Sequence, residues 1–148
     1  MARESRRAQV RPLRLRDHGA VIRLLATCDM TPHTRGRDSP AAFRRQLTAH
    51  PTTYLGAFDG DRLVGCVFGT HDARKAWINR LAVHPDFRRH GIGSRLVTEC
   101  ERRLRQRGME MFAALIDAPN RESVALFRSL GYDVGKLWYA RKKTRQGV

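Results

Sequence analysis

The chain opens with apolar residues set singly among charges and passes to a helical spacing. It returns to strand-like runs in the middle and becomes helical again after residue 91. In "QVRPLRLRD" (9–17), Val10, Leu13 and Leu15 alternate with charges around Pro12, which predicts an edge strand. Asp17 or His18 then opens a helix with Val21, Ile22, Leu24 and Leu25 on one side. "CDMTPHTRGRD" (28–38) is crowded with proline, glycine and short polar residues and reads as a loop. Ser39 before Pro40 is an N-cap with proline at the first helical position, and Phe43 and Leu47 face inward along a helix toward His50.

"TTYLGAF" and "RLVGCVFGT", joined by "DGD", form a hairpin signal, and "HDARK" turns into a third strand, "AWINRLAV" (76–83). After "HPDFRRHG", residues Ile92, Leu96, Val97, Cys100 and Leu104 recur at helical spacing up to a capping Gly108. "MEMFAALIDA" (109–118) reads as a strand, Asn120 caps a helix carrying Val124, Phe127 and Leu130, and "KLWYARKK" (136–143) reads as a final strand. The order is β-α-α-β-β-β-α-β-α-β. Strand, helix and strand over 76–118 make a βαβ unit, hence two parallel central strands and a right-handed crossover. The expected class is a mixed α/β sheet, mostly antiparallel, with helices on its faces. Residues 1–8 are a polar, flexible leader and 9–148 a single domain.

Composition narrows the function. The 148 residues are 41% apolar and 29% charged, and no window nears the roughly 18 apolar residues of a membrane span. The basic start leads into no apolar h-region, so the expected compartment is the cytoplasm. Cys28, Cys66 and Cys100 are odd in number and widely spaced, which suits buried thiols rather than disulfides or a metal site. The net charge of +15 raises nucleic acid as a partner, but the arginines are scattered and the aromatics, at 7%, are not interleaved with them. Nucleic acid is therefore not the expected main partner; an anionic ligand or an acidic partner suits the charge.

The chemistry concentrates in "FRRHGIGSRL" (87–96). A strand running into a helix start leaves orphan N–H groups at the turn, and Gly91 and Gly93 let a ligand approach that backbone. Arg88, Arg89 and Arg95 add positive charge, so a pyrophosphate fits. A P-loop would need Gly-Lys before Ser or Thr, and here Ser94-Arg95 follows Gly93; a dinucleotide fingerprint would need glycine where Leu96 stands.

"LAVHPDFRRHGIGSRLV", with "DAPNRESVALFRSLGYD" at the next strand-to-helix junction, resembles the GNAT superfamily of acetyl-CoA-dependent N-acetyltransferases. Arg88-x-x-Gly91-x-Gly93 matches the superfamily's signature, and the likeness is strongest over residues 54–135. It implies the GNAT fold, whose central parallel pair splays into a cleft. Backbone N–H groups of Arg89, His90, Gly91, Ile92, Gly93 and Ser94 would then hold the CoA pyrophosphate, beside Arg88. Leu81, Ala82 and Val83 would pair with the pantetheine arm, and Asn120 would help hold the cofactor or act only as an N-cap.

The resemblance implies acetyl transfer from acetyl-CoA, the cosubstrate, to a primary amine of a small molecule or peptide, with no metal. The chain departs from the family where many members carry a tyrosine acid: Phe127 stands there, and Tyr132 suits packing. "AWINRLAV" holds no carboxylate, so Asp117 and Asp72 are the catalytic candidates. Asp29, His33 and His71 are the candidates for contacting the amine, with Asp38 in the same loop. A homodimer is compatible with the pattern. Two other readings stay open: a CoA-binding protein with little turnover, and an acetyltransferase associated with nucleic acid or the ribosome.

Overall fold

The computed structural model describes residues 7–148, so most of the expected leader lies outside the described residues. Ala8, which the pattern assigned to it, is buried in the core. Five strands follow in spatial as in chain order: β1 (Gln9–Pro12), β2 (Tyr54–Asp59), β3 (Arg62–His71), β4 (Ala76–Val83) and β5 (Phe112–Ala113). The first four are antiparallel neighbours, and β4 and β5 are parallel. Among the described residues there are four α-helices: α1 (His18–Thr27), α2 (Pro40–Ala49), α3 (Ile92–Gln106) and α4 (Arg121–Ser129). No helix among the described residues is long and apolar enough to cross a membrane.

Each face of the sheet carries its own core. On one, Val21, Leu24 and Leu25 of α1 and Phe43 of α2 pack on Tyr54, Phe58, Cys66 and Phe68. On the other, α3 and Phe127 of α4 cover Leu55, Ala57, Val64, Val67 and Ile78. The helical spacing read for Ile92, Leu96, Val97, Cys100 and Leu104 is the buried face of α3. Burying each such side chain is worth about 1.5–3 kcal/mol, which seats this helix firmly. Two glycines of β3 let it come close. A Cβ at Gly65 would lie 3.0 Å from Leu96 Cδ1, and one at Gly69 would collide with Cys100 Sγ.

A bulge in β4 has the largest consequence. Cys66 pairs with Ala82 but Phe68 pairs with Asn79, so β4 carries one extra residue there, and Arg80 takes a left-handed φ of 52°. An extra residue reverses which face the following side chains meet. Ala76 and Ile78 face α3, whereas Ala82 faces α1, and Leu81 and Val83 take over the α3 side.

Two expected strands come out shorter and a third does not form. The first ends at Pro12, because Asp17 turns back the following residues: its carboxylate accepts from Arg11 Nη1 (2.9 Å) and from the Arg14 N–H (2.7 Å). The strand expected over 109–118 is reduced to Phe112–Ala113, which pair with β4 at Ala76 and Trp77. Its alternation persists without a ladder, Ala114 and Ile116 packing inward and Leu115 exposed. The strand expected over 136–143 does not form, and Leu137, Trp138 and Tyr139 are exposed. That segment ends against the 28–38 loop instead, where Arg145 Nη2 donates to the Arg35 carbonyl (2.7 Å) and Val148 abuts Gly36.

Candidate active site

The parallel pair opens at once. Among the described residues β4 and β5 pair only at Ala76 and Trp77 with Phe112 and Ala113, the Ala76 N–H donating to the Met111 carbonyl (2.8 Å), so from Asn79 to Val83 no strand pairs with the β5-facing edge of β4. This edge leads directly to the glycine turn. Pro85–Phe87 form one short helical turn, Arg89 and Gly91 take left-handed φ values of 64° and 73°, and α3 begins at Ile92. A left-handed Gly91 next to the right-handed start of α3 makes a concave backbone surface that suits an anion.

The helix starts differ in an informative way. Ser39 Oγ accepts from the Ala42 N–H (3.1 Å) and caps α2; Asn120 Oδ1 accepts from the Ser123 N–H (3.0 Å) and caps α4. α3 has no side-chain cap, its first backbone bond runs from Arg95 N–H to the Gly91 carbonyl, and Gly91 is exposed. The N–H groups of Ile92, Gly93 and Ser94 therefore lack intrahelical acceptors. A Cβ at Gly91 would meet nothing within 4 Å, so the space over the turn is open. The turn thus fits a pyrophosphate on geometry alone.

The arginines around it divide. Arg88 folds back, its Nε donating to the Val83 carbonyl (3.2 Å), and that oxygen also accepts from Cys28 Sγ (3.3 Å). Arg89 is exposed beside His90, whose Nδ1 lies 3.1 Å from the Phe87 carbonyl. Arg95 is turned to the start of the sheet and donates to the Ala8 carbonyl, away from the role its place in the motif suggested.

The other candidates are not all brought together. Asp72 is fully exposed in the β3–β4 turn, and its carboxylate accepts from the Arg74 and Lys75 N–H groups (both 2.9 Å). Those two bonds hold its pKa below the usual value. His71 accepts there from the Ala73 N–H and meets the His50 ring edge-on at 5.6 Å. Both residues precede Ala76, at the paired end of β4. Asp117 stands where the chain has left β4, exposed, its carbonyl accepting from the Asn120 N–H (2.9 Å). Phe127 is buried edge-on against Tyr132 at 4.9 Å. The Tyr132 hydroxyl is buried with no hydrogen-bond partner among the described residues, and burial raises its pKa, so this tyrosine packs.

The 28–38 loop carries Asp29 and His33. Asp29 is exposed with φ 58°, while the His33 N–H donates to Asp38 Oδ2 (2.7 Å). That carboxylate also receives Arg80 Nη2 (2.9 Å), and the Asp38 carbonyl lies 2.8 Å from His18 Nε2. Arg80 is the residue that sequence reasoning missed. Nothing in "AWINRLAV" marks a bulge, so nothing marked the arginine there as the tie between loop and cleft. A surface groove of about 710 Å³ between the start of α1 and α2, lined by His18, Pro40 and Arg44, holds none of the expected site residues.

The cysteines are quiet. Cys66 and Cys100 are buried, which pushes both thiols up to about 12; burial raises half-buried Cys28 as well. Among the described residues no three metal-ligating side chains gather.

Comparison with known proteins places this geometry. The sequence model of the acetyltransferase (GNAT) family matches residues 20–132. Acetyltransferase ECA0875 of Pectobacterium atrosepticum is 30% identical over 125 residues, which are 84% of this chain and 87% of that protein. Acetyltransferase plu1384 of Photorhabdus laumondii is 29% identical over 84% of this chain and 86% of its own length. Among solved structures, Ard1 of Thermoplasma volcanium superposes with a TM-score of 0.76 at 21% identity, over 87% of this chain and 84% of that one. The PaiA N-acetyltransferase of Thermoplasma acidophilum, solved with coenzyme A, gives 0.76 at 19% identity over 86% and 91%.

Proposed function

The chain belongs to the acetyltransferase (GNAT) family, and from that premise we propose that it transfers the acetyl group of acetyl-CoA directly to a primary amine of a small molecule or peptide. The observation that carries this reading is the opened edge of β4 running into an uncapped, exposed glycine turn. The N–H groups from Arg89 to Ser94 hold the pyrophosphate, with Arg88 beside them, and the free edge at Leu81, Ala82 and Val83 pairs with the pantetheine arm. Asn120 serves α4 as a cap through its oxygen, which leaves its amide nitrogen for the cofactor.

In the cleft the amine nitrogen attacks the thioester carbonyl. The N–C bond forms, the C–S bond breaks, and the proton lost by nitrogen balances the one gained by the CoA thiol. Of the two carboxylates singled out, Asp117 suits proton acceptance better. It stands on the diverging side of the cleft, whereas the Asp72 carboxylate is already bonded within its own turn. A buried Phe127 leaves the departing thiolate to take its proton from the amine or from water. The same residue favours one second reading, a CoA-binding protein with little turnover.

Calorimetric titration with acetyl-CoA, followed by thiol release over amines and peptides, tests both. Gly91→Glu is expected to weaken acetyl-CoA by roughly a hundredfold or more, since a carboxylate enters the pyrophosphate position. Gly91 is left-handed, so a side chain there also strains the backbone by about 1–2 kcal/mol, and the melting temperature should fall by several degrees while the exposed turn leaves the core intact. Wild-type affinity in a folded variant overturns the cofactor site. Tight binding without thiol release on any amine selects the second reading.

A further inference from the structure

The acceptor side of the cleft has a charge pattern that its catalytic description does not use. His33 stands within electrostatic reach of Arg37, Arg80 and Lys143, with Asp38 the one carboxylate among its charged neighbours. That carboxylate is buried and bonded to Arg80 and to the His33 N–H. The C-terminal arm, 136–148, contains Lys136, Arg141, Lys142, Lys143 and Arg145 and no acid. Its end is fastened to the loop through Arg145 and the Arg35 carbonyl, with Val148 against Gly36. The arm thus sets its cations beside Arg35 and Arg37 of the loop, whose Asp38 is already bonded to Arg80 at the bulge of β4 and whose Asp29 stands at its start, so the rim they form is positive on balance. Burial and the cations around it also keep His33 below its ordinary pKa. A cationic amine would be repelled here, and an amine carried beside negative charge would be drawn in.

We infer that the acceptor is an amine flanked by carboxylates, recognised by the positive rim that Arg37, Lys143 and Arg145 form at the mouth of the cleft. This deepens the acetyl-transfer reading and rests on it. Two sources share the chemistry: the N-terminus of an acidic peptide, and a free amino acid with a second carboxylate. The exposed Trp138 and Tyr139 on the same arm would also suit a single-stranded nucleic acid. An acidic acceptor is preferred because the rim lies at the transfer cleft, and two adjacent aromatics do not make a stacking track.

The test is thiol release at low salt with matched peptides whose second to fourth residues are glutamate, glutamine or lysine, alongside free glutamate and aspartate. Acidic acceptors are expected to exceed glutamine-bearing ones by roughly tenfold in kcat/KM, and lysine-bearing ones to be slowest. About 0.5 M salt should erase most of the difference. Lys143→Glu, a substitution of an exposed side chain, should invert the order while leaving acetyl-CoA affinity unchanged. Turnover of the free amino acids as well as the peptides assigns a compact acceptor; turnover of peptides alone assigns a chain terminus.

An equal or reversed order in the wild type overturns the inference. So does failure of every acidic amine in protein that binds acetyl-CoA, and that outcome leaves the cofactor site standing. A single-stranded oligonucleotide that binds through the arm while acidic peptides show no preference also overturns it. Absence of acetyl-CoA binding would instead remove the transferase reading on which it stands.

Discussion

The two banks of the cleft are built by different means. On the cofactor bank, one uninterrupted stretch from Leu81 to Ser94 supplies edge strand, turn and helix start, and α3 anchors it with five apolar side chains and two yielding glycines. On the acceptor bank, three pieces far apart in sequence meet: the 28–38 loop, Arg80 of the bulge and the last residues of the chain. The first bank is held by hydrophobic burial and local backbone geometry. The second is held by a few polar contacts, and so is easier to change without loss of the fold. A positive rim on such a bank can be retuned by single substitutions; the glycine turn cannot.

The contrast breaks most visibly at Asp38. Asp38→Ala leaves Arg80 and the His33 N–H without their acceptor in a half-buried place, and is expected to lower stability by about 2–3 kcal/mol. Thermal melts should fall, yet the acetyl-CoA titration of the folded variant should match the wild type. A coupled loss of cofactor affinity would mean that the banks are not independent.

A smaller effect concerns pH, and it involves one histidine of the acceptor bank, His33, and one outside both banks, His50 at the end of α2. Burial, then His71 and Arg107, hold His50 below its ordinary 6.5, and His33 is lowered as well. The unfolded chain therefore binds protons that the fold does not. Stability is fully present above 6.5 and falls as the pH drops below it toward the folded values. Melting temperature is expected to decline from pH 7 to pH 5, and His50→Gln to flatten the decline. An unchanged slope would place the sensitivity elsewhere.

The smallest expected effects compare two caps. Ser39→Ala and Asn120→Ala should each remove about 1 kcal/mol of stability. Only Asn120→Ala should also weaken acetyl-CoA, because only α4 borders the cofactor bank. Equal affinities in the two variants would reduce Asn120 to a cap.

What could be read from the sequence follows the same division. Helical spacing placed the buried face of α3 residue by residue, the Ser39-Pro40 and Asn120 signals marked real caps, and the glycine turn stands where its letters put it. All of these depend on neighbours within a turn or two. The rest depended on pairing across long separations. β5 keeps its alternation but pairs with β4 only at Ala76 and Trp77, short of the bulge at Arg80, and "KLWYARKK" keeps a strand's pattern with no strand beside it. Arg95 belonged to the motif by position, but its side chain answers to the Ala8 carbonyl, 87 residues away.

The state of the three thiols bears on the order of events in turnover. Burial of Cys66 in the sheet and of Cys100 on the inner face of α3 pushes both thiols up to about 12, and Cys28 is raised by burial and bonded to the Val83 carbonyl. The thiolate, not the thiol, is the nucleophile that would accept an acyl group, and none of these cysteines offers one near neutral pH. A relay of the acetyl group through cysteine sulfur is therefore not expected, which favours direct transfer from donor to acceptor. Under direct transfer both occupy the cleft together, and initial-rate plots are expected to show the intersecting lines of a ternary complex rather than the parallel lines of a ping-pong cycle.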